Sequence, residues 1–358
     1  MSGDGAIHAA VCCGVVVVAG EPATILLLRR WAAMDLPGAR SSHTIPTPRG
    51  GGLPIVIGLL AAAALTRGAP AVPFAAGVSF FGALGFADDL RGLTAMRRLA
   101  LQCAGSAGIA ALLVAPLGVP LVVRVAAAVV AAVWVMGFVN AFNFMDGVNG
   151  ISASHALIGG VAFACFGEWH SDPFLVASGL AIAVGCLAFL PWNAFRAQVF
   201  LGDVGSYALG AALSILALTA VLRRIPPEAA AGPLALYVAD TAWTLQRRIR
   251  AGERWIEPHR THTYQRWCDV GWSHQEVTLM TASATVLLSL LGAVSLTGDT
   301  LLRAEADLTG LAILAVYLCS PAFFGHPALA RERARPRHAR RSPGPEPRRE
   351  HELQRERG

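Results

Sequence analysis

The sequence contains no lysine: all 29 basic residues among its 358 are arginine. A lysine-bearing phosphate loop of the Walker type is therefore excluded, despite the glycine-rich stretches. Charge of either sign is scarce, at 15% of residues, against about 25% in a soluble domain. Hydrophobic residues make up 54%, and mean hydropathy is +0.53. Most of the chain thus reads as lipid-embedded, and the usual rule of one domain per ~150 residues does not apply. The seven cysteines (Cys12, Cys13, Cys103, Cys165, Cys186, Cys268 and Cys319) show no Cys-x-x-Cys spacing and sit mostly in apolar runs. They read as small hydrophobes, not as disulfide or zinc positions. No internal repeat is visible. The first apolar run lacks a basic segment before it, so it is expected to be a retained helix and not a cleaved signal peptide.

What is abundant is apolar sequence in long runs. A bilayer core of ~30 Å needs roughly 20 apolar residues per helix. Candidate runs cover 7–28, 51–66, 71–87, 98–115, 119–139, 152–167, 173–191, 205–222, 230–246, 276–297 and 305–324. The expected fold is an all-α polytopic integral membrane protein of about 10–11 transmembrane helices over 1–325. A disordered tail rich in Arg, Glu and Pro is expected over 326–358. If every run crosses, all arginines except Arg67, Arg124, Arg223, Arg224 and Arg303 fall on one side together with the C-terminus. The positive-inside rule makes that side cytoplasmic and puts the N-terminus outside. The net charge of +6 then reflects orientation and gives no ground for a nucleic-acid partner.

Three polar stretches end apolar runs on the arginine-rich side: Asp88-Asp89, the segment from Asn140 through Asn143 and Asp146 to Gly150, and Phe200-Leu-Gly-Asp203-Val-Gly-Ser206. Adjacent carboxylates repel, so Asp88-Asp89 calls for a cation or hydrogen-bond donors nearby; the plainer alternative is a solvated helix end. In the second stretch glycine permits close backbone approach, and amides with a carboxylate can hold a nucleotide or a hydrated metal; a capped turn is the plainer alternative. Asp203, flanked by glycines near a helix start, can cap that helix or hold Mg²⁺, which usually takes one or two protein carboxylates plus substrate phosphates. Together the three stretches are expected to converge as a metal–pyrophosphate site.

Two arginine-rich loops add anion-binding groups. In the loop 247–266, His259 and His262 could bind zinc, but no further ligands surround them, and an anionic donor clamped by Arg260 and Arg266 fits better. In the loop 35–52, Arg40, Ser41, Ser42, His43 and Arg49 offer anion contacts, and Gly50, Gly51 and Gly52 could form a backbone amide nest for phosphate. Asp240 lies inside an apolar run. It either faces a polar cavity or marks an earlier helix end.

In this order, the motifs Arg40-Ser-Ser-His43, Pro46-Thr-Pro-Arg-Gly-Gly-Gly52, Asp88-Asp89, Asn140-x-x-Asn143-Phe-Met-Asp146-Gly, Asn193 with Phe200-Leu-Gly-Asp203-Val-Gly-Ser206, and His259-Arg-x-His262-x-Tyr-Gln-Arg266 resemble the polyprenyl-phosphate N-acetylhexosamine-1-phosphate transferases. These belong to glycosyltransferase family 4 and are related to the phospho-N-acetylmuramoyl-pentapeptide transferases. The resemblance implies transfer of a sugar 1-phosphate from a UDP-N-acetylhexosamine to undecaprenyl phosphate with release of UMP, at the cytoplasmic face of a bacterial inner membrane. It implies Mg²⁺, with Mn²⁺ as a substitute, held chiefly by Asp203. It implies Asp88, Asp89 and Asp146 as the catalytic acids. Arg40, His43, Arg49, Asn140, Asn143, Asn193, His259, Arg260, His262 and Arg266 are implied as substrate-binding residues. The partners expected are the UDP-sugar, the polyprenyl phosphate, the bilayer and a second copy of the chain. The last loop is not histidine-rich, which points away from the peptidoglycan precursor. The first loop is closer to enzymes that start O-antigen or capsule units, although Gly38 stands where asparagine is expected. Direct attack by the lipid phosphate and a two-step route through a carboxylate nucleophile both fit. The alternative from another class is a transporter using Asp240, disfavoured because carriers place binding groups near the midplane.

Overall fold

In lipid every backbone N–H and C=O has to be bonded within the chain, and helices do this locally. The apolar runs all fall on helices in the computed structural model, which describes residues 3–31, 33–35, 46–66, 68, 70–254 and 259–322. In order these are α1 (Gly3–Arg30), α2 (Leu53–Leu65), α3 (Ala71–Arg91), α4 (Ala95–Val114), α5 (Leu121–Met145), α6 (Ile151–Trp169), α7 (Pro173–Asn193) and α8 (Gly202–Leu222), then α9 (Pro227–Ala231), α10 (Ala235–Arg250), α11 (Thr263–Asp269), α12 (His274–Val294) and α13 (Thr300–Cys319). Two strands of two residues each, β1 (Met34–Asp35) and β2 (Thr47–Pro48), pair antiparallel with Met34 opposite Pro48.

Seven helices, α1, α3, α5, α6, α7, α8 and α12, are long and apolar enough to cross a membrane. The chain is an all-α polytopic membrane protein. At 13 residues, α2 is about 20 Å long, short of a full crossing. Large apolar side chains face outward, Val122, Val129, Val130 and Val133 on α5 and Leu301, Leu308 and Leu311 on α13 among them. Such a surface suits lipid and not water.

The helix α8 is the axis of the packing. It is buried along nearly its whole length and lies against α3 and α5. Small residues let backbones approach, as they do in lipid where no hydrophobic gradient separates helices. Side chains at Gly160 and Gly179 would each overlap the other helix's backbone where α6 meets α7.

The polar stretches sit differently from their expected places at run ends. Helix α5 continues past the apolar run 119–139 to Met145, so Asn140 and Asn143 are helical and Asp146 is the C-cap. Helix α3 continues to Arg91, which puts Asp88 and Asp89 in its last turn. Helix α8 opens at Gly202, so Asp203 lies in its first turn. The run 230–246 is not one helix: α9 gives way to a short 3₁₀ turn before α10. The tail 326–358, expected to be disordered, lies outside the described residues.

Candidate active site

At the junction of α3, α5 and α8 the chain brings together side chains far apart in sequence. Helix α8 begins with backbone N–H groups that have no partner inside the helix. Asp89, at the end of α3, supplies one: its Oδ1 accepts from Asp203 N at 2.9 Å and its Oδ2 from Val204 N at 2.9 Å. The negative charge also suits the positive end of the helix dipole. This docking needs Gly202, which has φ +75° and sits against both Asp89 and Gly50, so that only a residue without Cβ fits.

Arg49, just after β2, ties the two acids together. Its Nε lies 2.8 Å from Asp89 Oδ1 and its Nη2 2.6 Å from Asp203 Oδ1. Burial works against the guanidinium charge, but Asp203 and Asp89 outweigh it and raise the arginine's pKa. Asn143 donates to Asp203 Oδ1 at 2.8 Å and to Ser206 Oγ at 3.0 Å. Asp203 Oδ2 receives no hydrogen bond from the described residues. Asp88 takes a different set of donors, accepting from Leu93 N at 2.7 Å, Tyr207 Oη at 2.9 Å and Arg98 Nη1 at 3.4 Å.

Asp146 faces the same space. Ser152 stands beside its carboxyl without closing a hydrogen bond. Burial pushes the Asp146 carboxyl up to about 7, against the pull of Ser152 and Arg49. Such an acid gains from a cation.

These groups line a polar cavity of about 530 Å³, with Asp35, Arg49, Asp88, Arg98, Asn143, Asp146 and Asp203 in its wall. Beside it lies a second cavity of about 510 Å³ between α4, α5 and α10, mostly apolar, with Leu99, Met136, Phe144 and Leu245 in its wall. Arg98 and Gln265 border both. One cavity thus offers cations and hard oxygen ligands, the other a hydrocarbon surface, and they meet at an arginine.

Of the residues expected from sequence, Asp88, Arg49, Asn143, Asp146 and Asp203 face the polar cavity. Asp89 does not; its side chain is 1% exposed and fully engaged with Arg49 and the start of α8. Asn193 reaches the cavity wall but is a clamp: Oδ1 accepts from Gly150 N and Nδ2 donates to Val199 O. Asn140, His259 and His262 border the apolar cavity instead. Arg260 and Arg266, expected as a phosphate clamp, line neither, and Arg260 is 3.5 Å from Asp269; the cavity's arginines are Arg49 and Arg98. The glycine nest is also corrected, because Gly50 N and Gly51 N donate to Phe200 O and Gly52 N to Leu201 O. Arg40 and His43 lie outside the described residues. Sequence reasoning missed Arg98, explained away as part of a positive-inside loop, and Tyr207, hidden in an apolar run. Gln265 was visible inside the His259–Arg266 motif.

Comparison with known proteins bears on this arrangement. The family described as Glycosyl transferase family 4 matches residues 71–221, the span holding Asp88, Asp146 and Asp203. The decaprenyl-phosphate N-acetylglucosaminephosphotransferase of Mycolicibacterium smegmatis is 32% identical over 302 residues, covering 71% of this chain and 73% of the relative. That of Mycobacterium leprae is 33% identical over 302 residues, covering 71% and 75%. The phospho-N-acetylmuramoyl-pentapeptide-transferase of Streptococcus pyogenes is 33% identical over 159 residues, 39% of this chain and 47% of the relative. With relatives matched over most of both chains and the acids lying inside the family's own span, this protein belongs to glycosyl transferase family 4.

Proposed function

We propose that the protein transfers an N-acetylhexosamine 1-phosphate from its UDP-linked donor to a polyprenyl phosphate, releasing UMP and starting a cell-envelope polysaccharide. One observation carries this reading: a cavity of carboxylates and arginines meets an apolar groove at Arg98 and Gln265. A lipid phosphate has the same division, an anionic head on a hydrocarbon chain. Its head suits Arg98, with the isoprenoid chain along Leu99, Met136 and Leu245. The diphosphate donor suits the polar cavity, where Arg49 supplies positive charge. An oxygen of the lipid phosphate attacks the donor's β-phosphorus, the bond from that phosphorus to the bridging oxygen breaks, and UMP leaves with the electron pair. Such transfer needs alignment and charge neutralisation above all. In this reading Asp88 takes a proton from the incoming phosphate, and its pairing with Arg98 at 3.4 Å supports that role.

The donor set fits a hard divalent ion. Among the described residues Asp203 Oδ2 receives no hydrogen bond, the Asp146 carboxyl has only the Ser152 hydroxyl beside it, and no three His, Cys, Asp or Glu side chains form a cage. Mg²⁺ takes one or two carboxylates and leaves room for phosphates. Asp203 and Asp146 would hold it, with Mn²⁺ as a substitute, and it would neutralise charge on the phosphates. The arginine distribution supports a cytoplasmic placement of this face in an inner membrane. The lipid named for the mycobacterial relatives is decaprenyl phosphate, whereas the motifs taken alone suggested undecaprenyl phosphate.

The test is UMP release by the purified protein with UDP-N-acetylglucosamine, with each of the two lipids and with a short-chain control. Release should depend on the lipid, stop with EDTA and return with excess Mg²⁺. Absence of UMP and of lipid-linked product with all N-acetylhexosamine donors would remove the reading. Release unaffected by EDTA would remove the metal from it.

A further inference from the structure

Asp240 on α10 is fully buried, at 0% exposure, and belongs to neither cavity wall. Its carboxylate nevertheless collects five donors from three parts of the chain. Oδ1 accepts from His262 Nδ1 at 3.1 Å, Thr263 N at 3.0 Å and Thr244 Oγ1 at 3.2 Å. Oδ2 accepts from Tyr317 Oη at 2.8 Å on α13 and Tyr264 N at 3.4 Å. A buried carboxylate is tolerated when donors surround it in this way. Two of the donors are the unpaired N–H groups at the start of α11, so Asp240 caps that helix from outside it.

The capped segment reaches the junction of the two cavities. Gln265, which borders both, accepts from His262 N at 3.2 Å. Tyr264 Oη donates to Phe144 O at 3.0 Å, in the last turn of α5 between Asn143 and Asp146. His262 borders the apolar cavity and stacks on His259 with ring centroids 4.9 Å apart. An ionised carboxylate accepts only, so the His262–Asp240 bond puts the proton on Nδ1. The other ring nitrogen, Nε2, is then the ring's acceptor.

We propose that Asp240 is the positioning residue of the cavity junction: it sets the tautomer and orientation of His262 and holds Gln265 and the end of α5 in register. Asp240 touches no substrate; it acts through His262 and the start of α11. The activity half of this proposal rests on the sugar-1-phosphate transfer read above, while the tethering half does not.

Three variants of the full chain in lipid nanodiscs test both halves: Asp240→Asn, His262→Asn and Tyr317→Phe. Amide hydrogen exchange over 259–269 needs no substrate, and Asp240→Asn should speed exchange at Thr263 and Tyr264 by about tenfold or more. In turnover, Asp240→Asn should lower kcat by about tenfold or more while KM for the UDP-sugar stays within about twofold. His262→Asn keeps an N–H donor for Asp240 but has no Nε2. Its exchange should match the parent and its kcat should fall as far as in Asp240→Asn. Tyr317→Phe keeps four of the five donors and should stay within about threefold in kcat. A purely structural tie to α13 would instead make Tyr317→Phe as harmful as Asp240→Asn, and that result overturns the proposal. Parent-like exchange and kcat in Asp240→Asn also overturn it. If Asp240→Asn does not fold, His262→Asn decides: parent-like kcat there refutes the role. A parent protein inactive on every donor removes the transferase reading, and the exchange result still decides the tether.

Discussion

At the residue scale the site depends on which carboxylate keeps a free oxygen. Asp89 and Asp203 lie within reach of one guanidinium, yet their surroundings give them different work. Asp89 is saturated by Arg49 and the first N–H groups of α8, whereas Asp203 keeps Oδ2 open. Removing Arg49 leaves two largely buried acids facing each other. Arg49→Ala should destabilise the fold by roughly 3 kcal/mol, the low end for breaking a buried ion pair because the arginine is partly exposed; thermal unfolding in detergent measures it. His259 gives a pH dependence of definite sign. Burial, helped by His262 and Arg248, lowers its pKa from 6.5 to about 4. Below pH 6.5 the unfolded chain takes up a proton that the folded loop refuses, so stability falls as the pH drops from 6.5 towards 4. His259→Gln should flatten that part of the curve, read as the difference in melting temperature between pH 7 and pH 4.5.

At the element scale the arrangement depends on how closely α8 approaches α3 and the chain after β2. A side chain on Gly85 would overlap the carbonyl of Asp203, and one on Gly52 would overlap Gly205. Gly85→Ala should therefore lift the start of α8 away from Asp89, with an overpacking cost of about 1–3 kcal/mol and a loss of turnover larger than that cost would suggest. Measuring both on one preparation separates displacement of the site from general instability. The apolar groove allows the opposite experiment. Gly137 on α5 borders it, and a Cβ at that position would meet nothing within 4 Å. Gly137→Leu should leave the melting temperature unchanged and raise KM for the polyprenyl phosphate by about tenfold, with KM for the UDP-sugar unaffected. An equal rise for both substrates would argue against the groove as the lipid's seat.

At the scale of the whole molecule, an apolar exterior surrounds a polar chamber. Helices with outward-facing Val and Leu place the protein in a bilayer, and the ends of α3 and α5 with the start of α8 place the acids at one end of the bundle. The transporter alternative drew on Asp240 as a buried acid available to a solute. Five donors already surround that carboxylate, so it offers no open ligand position.

The membrane class, the helix positions and the convergence of Asp88, Asp146 and Asp203 were legible in the chain alone. They follow from apolar run length and from the side on which each run ends, both of which are local properties that add up along a chain. The partner each polar group takes was not legible in this way. Arg98 looked like an orientation signal and the glycine run like a phosphate nest, because a side chain's role depends on what faces it. Those facing groups come from helices more than a hundred residues away in several cases, as with Asp89 and Val204 or Tyr207 and Asp88. Only the packing of α8 between α3 and α5 decided which of four neighbouring acids would cap a helix and which would be left open to the cavity.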